Sequence, residues 1–134
     1  MPDTTLIKKL GIKPKQRIMI LNAPQGYHEQ LGTLPSDVEL VTTLNGTFDL
    51  VHVFVKNKAE VDHYAPMAIK AVKAGGLLWM SYAKKSSKVT TDITRDIGWD
   101  AVLDAGWRPV TLISIDEVWS AFRFRPISEV KEAR

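Results

Sequence analysis

Apolar positions along this chain come in short dense runs separated by turn residues, and the first such run sets the frame. Ile18 to Leu21, inside RIMILNAPQGY, are consecutive apolar residues that suit a strand covered on both faces. Asn22, Pro24 and Gly26 turn the chain immediately afterwards. Ahead of this strand, Leu6, Ile7 and Leu10 make a short helical turn capped by Thr4 or Thr5 and stopped at Gly11. After it, Tyr27 to Leu34 predicts a brief helix closed by Pro35, and Val38 to Thr42 a second strand. Asn45-Gly46 then turns into Phe48 to Val55, FDLVHVFV, whose apolar density predicts a central strand. No helix fits between these two strands.

The next segment changes period. Asn57 followed by Glu60 resembles a capping box, and Val61, Tyr64, Ala65, Ala68, Ile69 and Val72 form one helical stripe. Pro66 lies inside it and is expected to bend or divide the helix, with Gly75 and Gly76 ending it. Leu77 to Tyr82 is another apolar strand, and the polar stretch AKKSSKVTT leads to helical material from Asp92 to Ala105, stopped by Gly106. Arg108 to Ile115 and Val118 to Arg125, joined at Asp116-Glu117, predict an antiparallel pair, and the charged tail from Ser128 is expected to fray.

Composition narrows the function classes. At 134 residues, 45% apolar and 25% charged, the chain predicts a single domain. A formal charge of +3, spread along the chain, argues against a nucleic-acid partner, and the basic group Lys8, Lys9, Lys13, Lys15 and Arg17 reads as a solvated face. Without cysteine there are no disulfides, thiolate metal sites or thiol nucleophiles. No run is long enough to span a membrane and no signal-peptide core is present, so a cytoplasmic location is expected.

The order of elements, together with Phe48-Asp49-Leu50-Val51, Ala74-Gly75-Gly76-Leu77-Leu78 and the closing strand pair, resembles the class I S-adenosylmethionine-dependent methyltransferases over roughly Ile12 to Pro126. More narrowly, LNAPQGY, FDLVHVFVK, KKSSKVTTDITRDIGWDA and WSAFRFRP resemble a family of small bacterial proteins classed as a domain of unknown function. The resemblance implies a three-layer, Rossmann-like α/β fold, mostly parallel and reduced, ending in an antiparallel hairpin. Counting strands along the chain, it implies the order second, first, third, fourth, last, fifth. It also brings in S-adenosylmethionine as a cofactor, on a degenerate motif. Where that fold carries a GxGxG-like loop, this chain has Asn22-Ala23-Pro24-Gln25-Gly26-Tyr27, and Thr42-Thr43 stands where an acid would hold the ribose.

Ligands of open α/β sheets bind at the carboxyl ends of the strands. The expected site therefore lies between Asn22, Gln25, Gly26 and Tyr27 on one side and Lys84, Lys85, Ser86, Ser87 and Lys88 on the other. Ammonium groups, hydroxyls and a helix start suit a small anionic molecule there. The leading expectation is a non-catalytic binder of such an anion, with no catalytic residue assigned. The alternatives are an active methyltransferase, and a module that forms a homodimer through the Trp119 face of its last strand. His28, His52 and His63 show no metal-ligand spacing, and His52 reads as a satisfied core residue. Asp92, Arg95 and Asp96 read as helix-capping charges.

Overall fold

Among the described residues six strands form one sheet in the order β2-β1-β3-β4-β6-β5, the order expected from the resemblance. The computed structural model describes residues 5–31, 34–41, 46–84, 92–93 and 97–126. Strands β1 (Arg17–Leu21), β2 (Glu39–Val41), β3 (Phe48–Phe54) and β4 (Val72–Ala83) run parallel. Strand β6 (Trp119–Pro126) is antiparallel to β4 and to β5 (Trp107–Ser114), which makes the closing hairpin.

The alternation of side chains across the sheet separates two apolar layers. Ile18, Ile20, Leu50, Phe54 and Trp79 face helices α1 (Thr5–Leu10) and α2 (Tyr27–Leu31), which supply Leu6, Ile7, Leu10, Tyr27 and Leu31. Met19, Val51, Val53, Leu78 and Met80 face α3 (Lys58–Ala71) and α4 (Asp100–Asp104), which supply Val61, Ala65, Ala68 and Val102. Helix α1 is pinned to the sheet from far away in sequence, since the buried Trp79 indole donates to the Leu10 carbonyl at 2.9 Å. Strand β2 is short, and its end at Val41 lies about 10 Å from β3 across one intervening strand, a gap that residues 42–47 are long enough to cover.

Four expectations change. Helix α3 runs through Pro66 as one helix, and it ends at Ala71, before the glycines. Gly75 and Gly76 belong instead to a bulge of β4: Phe48 pairs with Val72, and the next register pair is Leu50 with Leu77. The late helix is confined to Asp100–Asp104 among the described residues, with Trp99 at its cap. The Asn57 cap is present, its side-chain Oδ1 accepting the Glu60 amide at 2.9 Å. Glu60 does not complete the box, because its carboxylate accepts from the Lys56 amide at 2.7 Å.

Candidate functional site

Parallel pairing sends the loops after β1, β3 and β4 to the same end of the sheet, as the expected crevice requires. Asn22 leaves β1 with φ of 60°, a left-handed conformation that asparagine tolerates. Its side-chain amide donates to the Phe54 carbonyl at 2.8 Å and to the Glu60 carboxylate at 3.2 Å. These bonds tie the end of β1 to the end of β3 and the first turn of α3. Gln25 and Gly26 stay exposed at the apex. Gly26 has φ of 85°, and a Cβ there would meet only the Glu29 carboxylate at 3.9 Å, so the backbone is open to close approach.

Tyr27 does not line that opening. Its ring is 1% exposed and packs edge-on against His52 and Phe54, at centroid distances of 5.6 and 4.7 Å. Burial, with the charge of Asp116 adding to it, pushes its phenol pKa well above the ordinary tyrosine range. The physical reason is helix phase: Tyr27 opens α2 on the side that meets the sheet.

Beneath the crevice runs a buried polar row. His52 Nδ1 is 3.4 Å from the Tyr27 hydroxyl, and His52 Nε2 is 2.6 Å from Ser81 Oγ. Burial pushes the His52 pKa down to about 3, so the ring is neutral at physiological pH. His52 is thus the satisfied core histidine the sequence suggested, and no group of His, Asp and Glu able to hold a metal occurs among the described residues.

On the β4 side, Lys84 is turned toward the closing hairpin. Its ammonium donates to Ser114 Oγ at 2.7 Å and to the Asp116 carbonyl at 2.5 Å. Asp116 in turn accepts the Val118 and Trp119 amides, each at 2.8 Å, which fixes the β5–β6 turn. Lys85, Ser86, Ser87 and Lys88 lie outside the described residues, as do Thr42, Thr43, Arg95 and Asp96. Asp92 caps a different helix from the one expected, since its carboxylate accepts the Lys58 amide at the start of α3 at 2.7 Å. Trp119 is not on an open face: it is 8% exposed and packs edge-on against Phe54. Among the described residues no helix is long and apolar enough to cross a membrane.

A well-formed hollow lies at the opposite end of the sheet, where Lys13, Gln16, Asp49, Lys73, Gly76 and Arg123 converge. Reading along the sequence missed it, because Lys13 belonged to a basic run and Lys73 to a helix end, and nothing local ties either to Arg123.

The sequence matches no protein-family model and no curated protein. Solved structures are similar in fold. Fibrillarin from Aeropyrum pernix, in complex with natively bound S-adenosyl-L-methionine, aligns with a TM-score of 0.61 at 13% identity, covering 91% of this chain and 73% of that one. The DhpI–SAH complex aligns with a TM-score of 0.59 at 13% identity, covering 92% of this chain and 82% of the other. A SAM-dependent methyltransferase from Aquifex aeolicus gives 0.56 at 11% identity, over 89% and 86%. At these identities the likeness defines the fold alone: a reduced, Rossmann-like arrangement of the class I methyltransferase type.

Proposed function

We propose that the chain binds S-adenosylmethionine, or the S-adenosylhomocysteine left after methyl transfer, at the carboxyl ends of β1, β3 and β4. The observation that carries this reading is the similarity of fold, over most of both chains, to the DhpI–SAH complex and to fibrillarin with bound S-adenosyl-L-methionine, combined with an open, exposed loop at Gln25 and Gly26. The fit is partial. Gly26 and the tied-back Asn22 leave backbone free to approach a ligand, whereas Pro24 removes an amide donor and Glu39 stands at the start of β2 rather than at its end. Gln25, Gly26 and the Asn22 backbone are assigned to the ligand, while Tyr27 supports the loop from below.

Thermal-shift and calorimetric titration with S-adenosylhomocysteine, alongside inorganic phosphate and ATP, tests the reading. Saturable binding of the adenosyl ligand, weakened by Gly26→Val, is the expected result. An adenosyl-independent response to anions, lost in a Lys85→Ala/Lys88→Ala variant, would favour the non-catalytic anion binder that the lysine-serine loop suggests. No response to any ligand at this end would overturn both. A homodimer through the last strand loses its main argument, because Trp119 is already buried within its own chain.

A further inference from the structure

At the amino-terminal ends of β1 and β3, remote from the proposed adenosyl site, the surface forms an open hollow of about 370 Å³. That lies within the roughly 300–1,000 Å³ of small-molecule sites. Its shape comes from the bulge of β4. Only Asp49 separates Phe48 from Leu50 on β3, while residues 73–76 intervene on β4, and Lys73, Gly75 and Gly76 of that excess chain line the hollow. Gly76 makes the bend feasible: a Cβ there would sit 2.9 Å from the Asp49 carbonyl oxygen and 3.0 Å from that of Lys73.

The lining is strongly cationic. Lys13, Lys73 and Arg123 face a single acid, Asp49. Asp49 is already committed, accepting the Arg17 amide at 2.8 Å and standing 3.3 Å from Lys73 Nζ. The hydrogen bond donated by the Arg17 backbone N–H, aided by Lys73, holds its carboxyl below the usual range, so it remains a charged partner to that lysine. Neither the Lys13 ammonium nor the Arg123 guanidinium has an acceptor among the described residues, and Arg123 Nε is buried without any hydrogen-bond partner. A buried donor left unpaired destabilises the empty protein and is satisfied when a ligand oxygen enters. Guanidinium is also the side-chain group best shaped to hold two oxygens at once.

The geometry points to a second ligand site here, in which Arg123 grips the phosphate or carboxylate group of a small metabolite at the back of the hollow while Lys13 and Lys73 neutralise it at the mouth. Phosphate and carboxylate share this chemistry, and separate titrations distinguish them. Inorganic phosphate and citrate are titrated calorimetrically into the full chain at low chloride. Binding of one or both is expected, weakened about tenfold or more by Arg123→Met and about threefold or more by Lys13→Met. Without added anion, Arg123→Met unfolds at the same or a higher temperature than the wild type, which a merely structural arginine would not allow. Lys13 is exposed, so its variant keeps the test decisive if Arg123→Met does not fold. The response to S-adenosylhomocysteine at the opposite end is unaffected by Lys13→Met, so the two readings fail separately. Absence of binding by both anions, or equal binding by wild type and Lys13→Met, overturns the proposal.

Discussion

His52 gives the sharpest test of the buried polar row, because its environment translates into a defined loss of stability in acid. In the folded chain its pKa falls from 6.5 to about 3 through burial, while the unfolded ring titrates normally. The folded state therefore excludes a proton that the unfolded state binds. Stability contributed by the neutral ring is complete above pH 6.5 and declines as pH falls toward the folded value. At pH 5 the loss is about 2 kcal/mol, from about 1.5 pH units at 1.36 kcal/mol each, and it approaches about 5 kcal/mol near pH 3. Asp49 acts in the same direction but only below its ordinary 3.8, so the window from pH 6.5 to 5 isolates His52. Urea unfolding followed by tryptophan fluorescence should show the midpoint falling by about 1 M between pH 8 and pH 5. In His52→Gln, which keeps an amide for Ser81 but cannot ionise in this range, that fall should shrink to a small fraction. Parallel pH dependence in the two proteins would refute the reasoning.

Other substitutions test the packing. Gly76→Ala places a methyl against two backbone oxygens and should cost about 1–3 kcal/mol in urea unfolding; an unchanged midpoint would contradict the tight bulge. Trp79→Phe removes the donor to the buried Leu10 carbonyl and should cost about 1–3 kcal/mol, with faster amide exchange in α1. Asn57→Ala removes the α3 cap and should cost about 1 kcal/mol, whereas Asn57→Asp should keep most of it, as read by thermal melting.

Local chemistry by itself determined the strands and the principal cap, while the strand order came only with the resemblance to a known fold. Apolar runs such as Ile18 to Leu21 can bury both faces only inside a sheet, turn residues bound them, and short connections leave few topologies. Asn57 caps α3 through a bond spanning three residues, which is why the pattern was readable. The tertiary structure alone decided where polar and aromatic side chains point. Tyr27 turns inward because α2 presents that position to His52 and Phe54, and Lys84 turns aside because Ser114 and Asp116 of the hairpin offer it acceptors. The cationic hollow is the extreme case. Lys13, Lys73 and Arg123 meet through sheet pairing and a bulge of β4, and contacts over such separations leave no periodic trace in the sequence.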